Sequence, residues 1–79
     1  MKTISIQYFA ILREHAGADS ESVQTAAETP GELFAELASR HGFPELAPLK
    51  VAINDEFGGW DAPLKEGDSV VFIPPVAGG

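Results

Sequence analysis

The sequence predicts an α+β fold in which one main helix packs across one mixed sheet of four to five strands. Three stretches carry that prediction: an alternating run over residues 2–10, a helix punctuated at both ends between Thr29 and Gly42, and a β-branched and aromatic run over residues 69–73. A half-buried strand and an amphipathic helix each have one apolar face, and in a short chain those faces cover each other. With 79 residues there is room for one modest core. Folding at this size hides only about 60% of the unfolded surface, so no deep enclosed active site is expected.

Ile4, Ile6 and Tyr8 share one face of the first strand, and Thr3, Ser5 and Gln7 share the other. Residues 10–16 read as a short helical or irregular turn that tucks Ile11 and Leu12 inward. A polar loop over 17–20 leads to a weaker strand over 21–26 that pairs with the first as a hairpin. Thr29-Pro30-Gly31-Glu32 then supplies a capping hydroxyl, a proline at the first helical position and a glutamate three residues after the cap. Leu33, Phe34, Leu37, Ala38 and His41 recur at helical spacing as the buried stripe, with Glu32, Glu36 and Arg40 on or near the solvent side. Gly42 can take the left-handed stop, Phe43 can fold back onto Leu37 or Ala38, and Pro44 bars continuation.

After a connector over 44–50, Val51-Ala52-Ile53 is a short strand ending in a tight turn at Asn54-Asp55, and a short return strand carries Phe57. Lys65-Glu66-Gly67-Asp68 is a turn into the run 69–73, whose unbroken apolar character predicts a central strand covered on both faces. The expected order is β-β-α-β-β-β, a single domain over 1–73 followed by an extended tail over 74–79.

Composition narrows the function classes. The 44% hydrophobic and 22% charged content suits a folded soluble domain. No apolar stretch has the ~20 residues of a membrane-spanning helix, and residues 1–4 lead straight into alternation with no signal-peptide core. The expected address is the cytoplasm, with no membrane partner. A formal charge of −7, with five scattered Lys and Arg, opposes nucleic acid as a partner. The same acidity suits either docking on a basic protein surface or plain solubility. There is no cysteine, hence no disulfide, no thiolate metal site and no cysteine nucleophile, so any sulfur chemistry uses borrowed sulfur.

The chain closes on Pro74-Pro75-Val76-Ala77-Gly78-Gly79. Pro74 cannot donate to a ladder, and the Pro-Pro pair favours a stiff, extended exit; six residues at about 3.1 Å each reach roughly 19 Å. Two glycines without Cβ atoms let a backbone carboxylate enter a narrow channel unshielded. A carboxylate is a poor electrophile, and the sensible use of such an end is activation by ATP to an acyl-adenylate. The ATP site belongs to a partner, because this chain has no Gly-rich loop followed by Lys to cradle phosphates, and no cofactor is expected to bind it.

Three segments resemble a known family over nearly the whole chain: Tyr8-Phe9-Ala10-Ile11-Leu12-Arg13-Glu14, the run from Ala62-Pro63-Leu64 through Val71-Phe72, and the closing Pro-Pro-Val-x-Gly-Gly. The sequence is similar to the small, ubiquitin-like subunit of molybdopterin synthase, a sulfur carrier with the β-grasp fold. That resemblance implies that an E1-like adenylyltransferase activates the Gly79 carboxylate and a sulfurtransferase system converts it to a thiocarboxylate. The tail, with Gly78 and residues Pro74, Pro75, Val76 and Ala77 in the partner's channel, would then deliver sulfur to cyclic pyranopterin monophosphate inside the large catalytic subunit. The implied assembly is a heterotetramer of two small and two large subunits, in which this chain donates sulfur but does no catalysis alone. The resemblance also points to Phe9, Phe57 and Ile73 as the docking surface, with core packing the other role open to them. Phe9 is out of phase with Ile4, Ile6 and Tyr8, which favours the sheet face away from the helix.

Two other uses of a Gly-Gly end are a carrier for thiamine thiazole synthesis, which lacks the Pro-Pro-Val tail, and a protein modifier conjugated through Gly79. A binding module with an inert tail is a third. His15 and His41 lie far apart without a third ligand, so no metal is expected and both read as surface or helix-end residues. Trp60 is either an interface anchor or a cap on the sheet edge, and Arg13-Glu14 either a recognition pair or part of a local salt bridge.

Overall fold

The computed structural model describes residues 1–43 and 49–73. Strand β1 (Lys2–Tyr8) buries Ile4, Ile6 and Tyr8 and exposes Ser5 and Gln7, following its alternation. The chain then enters α1 (Ala10–Ala16), which buries Leu12 and half-buries Ile11. Its start has no side-chain cap and places Ala10 at φ 52, while Gly17 closes it at φ 75 with its N–H donating to the Arg13 carbonyl. Strand β2 (Ser20–Thr25) returns antiparallel to β1, so the expected pair forms with a helix in its connection.

Helix α2 (Pro30–His41) starts where the capping signal places it. The Thr29 hydroxyl accepts from the Glu32 N–H at 3.2 Å, while the Glu32 carboxylate accepts from the Glu28 N–H, one residue before the cap, also at 3.2 Å. The Gly31 N–H donates to the Trp60 carbonyl at 2.9 Å, and a Cβ there would meet that oxygen at 3.2 Å, so glycine permits the close approach. Gly42 ends the helix at φ 69, and the Phe43 N–H donates to the Ala38 carbonyl. The Phe43 ring packs against the core and lies on Phe34 and Tyr8, with centroids 5.7 and 5.8 Å away.

Strands β3 (Lys50–Ile53) and β4 (Glu56–Gly58) form a hairpin through Asn54 and Asp55, whose φ values of 52 and 71 match a two-residue type I′ turn. Strand β5 (Ser69–Ile73) completes a five-stranded sheet in the order β2-β1-β5-β3-β4. β1 and β5 run parallel and the other pairs antiparallel, as a mixed sheet requires.

Both helices cover the Ile4, Ile6 and Tyr8 side, where Leu12, Leu33 and Leu37 meet Val23, Val51, Val70 and Phe72 in one core. β5 is central, but it is not covered on both faces. Val70 and Phe72 are fully buried, whereas Val71 and Ile73 remain partly exposed, because among the described residues no second layer packs on that side. The Phe72 ring is held by Trp60, stacked at 5.8 Å, and by Phe34, edge-on at 5.0 Å. Trp60 therefore caps the core. The Tyr8 hydroxyl is buried without a partner at hydrogen-bonding geometry, and burial, reinforced by the Glu21 carboxylate, pushes its pKa well above the ordinary phenol value.

A polar clamp fastens the β3–β4 turn to the start of β5. The Asn54 side chain donates to Asp68 Oδ1 at 3.0 Å and accepts from the Ser69 N–H at 3.0 Å, while Asp68 Oδ2 accepts from the Lys65 N–H at 2.8 Å. The Asn54 bond, followed by the Lys65 N–H, holds the Asp68 carboxyl below its ordinary pKa. A folded pKa below the unfolded one contributes stability above the unfolded value, lost as pH falls through the folded value. Replacing Asp68 by Asn is therefore expected to lower stability at pH 7 and to flatten its decline below about pH 4, measured as urea midpoints across pH.

Candidate functional site

The sheet face opposite the helices is built from alternate residues of the strands. Ala52 on β3 registers with Val71 on β5 and with Phe57 on β4, and Lys50 registers with Ile73. Gln7 on β1 registers with Val71, and Tyr8 with Phe72, so Phe9, in extended backbone at φ −126, follows at the same end as Ile73. Phe9 is 42% exposed and Phe57 73% exposed, while Ile73 is half-buried. The structure thus brings these three predicted residues to one face of the sheet, with Phe57 opposite Ala52, nearer the β3–β4 turn, and Phe9 and Ile73 at one end. That end is where β5 leads into residues 74–79. Gly79 and Gly78, with Pro74, Pro75, Val76 and Ala77, lie outside the described residues.

Three residues of this face were not singled out from sequence: Lys50, Ala52 and Val71. The available signal was parity. In β5 both alternating sets are apolar, although a one-layer core needs only one of them. Lys50, expected at the end of the connector, is the first residue of β3, and its Nζ lies 5.7 Å from the centroid of the Phe57 ring.

Beside the apolar part, a groove of about 440 Å³ crosses the same face over Ser5, Gln7, Ser20 and Ser69, with Asp19 and Asp55 among its lining residues. Its hydroxyl and amide groups can hydrogen-bond a partner's backbone or side chains, but they do not form an activated nucleophile. Among the described residues no three His, Asp or Glu side chains are grouped to hold a metal ion.

The other candidates have structural roles. His41 is half-buried, with Nε2 2.9 Å from Glu21 Oε2, so it ties α2 to β2 instead of lying free at the helix end. Glu21 also faces Arg40, which in turn reaches Glu36. His15 is exposed, edge-on to Phe43. Arg13 pairs with Asp19 at 3.5 Å across exposed surface, a contact of small energetic value.

A mixed sheet with its first and last strands parallel at the centre and helices on one face defines a ubiquitin-like β-grasp protein. The model of the ThiS family matches residues 6–79, and the chain belongs to that family. It is 35% identical to the molybdopterin synthase sulfur carrier subunit of Escherichia coli strain K12, across 96% of this chain and 99% of that protein. It superposes with a TM-score of 0.68 and 28% identity on a chain in the complex of subunits 1 and 2 of the molybdopterin-converting factor of Helicobacter pylori, covering 98% of this chain and 99% of that one. The small archaeal modifier protein 1 of Haloferax volcanii gives a TM-score of 0.83 at 25% identity, covering 96% of this chain and all of that one. No helix among the described residues is long and apolar enough to cross a membrane.

Proposed function

We propose that this protein carries sulfur in molybdenum cofactor biosynthesis, as the small subunit of a molybdopterin synthase. The observation that carries the reading is its likeness over nearly the full length to the E. coli sulfur carrier subunit. In the proposed cycle an E1-like enzyme joins the Gly79 carboxylate to the α-phosphate of ATP, releasing pyrophosphate. Sulfide sulfur from a sulfurtransferase system then displaces AMP and leaves a thiocarboxylate. The tail enters the large subunit, the sulfur passes to cyclic pyranopterin monophosphate, and water supplies the oxygen that returns Gly79 to a carboxylate. Two such rounds build the dithiolene.

The open face is the proposed docking surface, with Phe9, Phe57 and Ile73 covered by the large subunit. Burying a ring as exposed as Phe57 contributes about 1.5–3 kcal/mol. Docking there holds the root of the tail at the mouth of the partner's channel, so residues 74–79 need only extend. The proposed assembly has two small and two large subunits and works in the cytoplasm.

Intact-mass measurement of the protein isolated from cells with an active pathway tests this reading. The expected spectrum contains a species whose gain corresponds to replacing one oxygen by sulfur. Free carboxylate alone, with a ladder of conjugated proteins on denaturing gels, would assign the chain instead to the modifier class that its likeness to the archaeal protein also admits.

A further inference from the structure

The five cationic side chains of this acidic chain are not equivalent. Arg13 faces Asp19, and Arg40 faces Glu21 and Glu36. Lys2 Nζ donates to the Ala27 carbonyl at 3.0 Å, and Lys65 lies close enough to Asp68 to help lower its pKa. Lys50 has no carboxylate or carbonyl partner among the described residues. Instead its ammonium stands over the Phe57 ring, beside Ile73 across the β3–β5 ladder. It lies on the open face where β5 leads into the tail, and the acids lining the groove on that face, Asp19 and Asp55, lie away from it, beside β2 and in the β3–β4 turn.

From this placement we infer that Lys50 sets the orientation of docking by meeting a carboxylate on the large-subunit partner, presented from an apolar surround. The inference rests on the proposed function, whose docking surface it refines. Phe9, Phe57 and Ile73 attract any apolar surface and carry little directional information. An off-centre charge among them does carry direction. When the face is covered, the Lys50 ammonium loses water, which is unfavourable unless an anion replaces it. A partner seated in the wrong rotation leaves Lys50 unpaired and is rejected, so the tail root points into the channel only in the right one. The Phe57 ring steadies the ammonium before the partner arrives.

The test measures binding of the full chain to the large subunit of its own molybdopterin synthase, for native protein, K50E, K50M and K50R, with melting curves to verify that each exposed-site variant folds. Expected are a loss in affinity of about tenfold or more for K50E, a smaller loss for K50M and near-native binding for K50R. Native binding should weaken as salt rises, and that dependence should fade in K50M. Reversing one acid on the large subunit should restore K50E. Folded K50E binding within about twofold of native, with unchanged salt dependence, overturns the inference while leaving the function standing. Native protein that does not bind the large subunit at all, at low or high salt, overturns the proposed function and the inference with it.

Discussion

Removing Gly78 and Gly79 is expected to leave the melting curve within a few degrees of native and to abolish sulfur transfer. The strand pairings among the described residues are all made within residues 2–73, so none of them depends on the deleted pair. The chemistry has no substitute. The sequence contains no cysteine to hold sulfur elsewhere, and a shortened chain would end on Ala77, whose Cβ and withdrawn position both obstruct attack. Misplacing a reacting group by about 1 Å already costs about 10²-fold, so losing two residues of reach should reduce transfer to background. An added alanine after Gly79 should act in the same way. Molybdopterin formation in a reconstituted assay with the activating enzyme and large subunit checks both, and undiminished product from the deletion would leave the tail without a role.

Phe72→Ala should unfold the domain. Phe72 is fully buried, stacked under Trp60 and edge-on to Phe34, on the central strand that joins the two halves of the sheet. Truncating such a residue costs about 3–5 kcal/mol through lost transfer energy and the cavity left behind. A core of this size rarely supplies more than about 3–5 kcal/mol of net stability. Urea titration followed by circular dichroism should find the variant largely unfolded before denaturant is added. A stable Phe72→Ala variant would mean that the Trp60 loop collapses into the cavity and that the aromatic stack contributes less than its burial implies.

Much of this architecture was legible because the relevant forces act over a few residues. Thr29, Pro30 and Glu32 specify a helix start through backbone donors one turn away, and Gly42 specifies the stop through its own φ. Asn54 and Asp55 mark their hairpin in the same local way. Features that depend on distant segments were harder to read. Trp60 stacks on Phe72 and meets Phe34 edge-on, three rings from separate segments, so no spacing announces the cluster. Residues 10–16 lack a capping side chain, which left helix and turn open.

The candidate site divides in the same way. The closing Gly-Gly and Pro-Pro signals are local chemistry, and Phe9 revealed its face by being out of phase with its neighbours. For Phe57 and Ile73, exposure depends on what does not pack against them, which a single strand pattern cannot show. The unbroken apolar run of β5 predicts a strand covered on both faces. Its second face is instead left for a partner in the proposed function, and burial in a core and burial in a complex select the same residue types.

The central parallel pairing of β1 with β5 links assembly of the domain to completion of its synthesis. β1 leaves the ribosome before the other described strands, yet its inner neighbour, registered from Ser5 and Ser69 to Tyr8 and Phe72, is the last of them. Until β5 emerges, the β1–β2 pair and the β3–β4 hairpin have no strand between them, and the core lacks Val70 and Phe72. Closing that long loop is a slow, entropy-limited step that local contacts cannot replace. A nascent or prematurely terminated chain that stops before β5 therefore lacks Val71 and Ile73, and with them the middle of the proposed docking face.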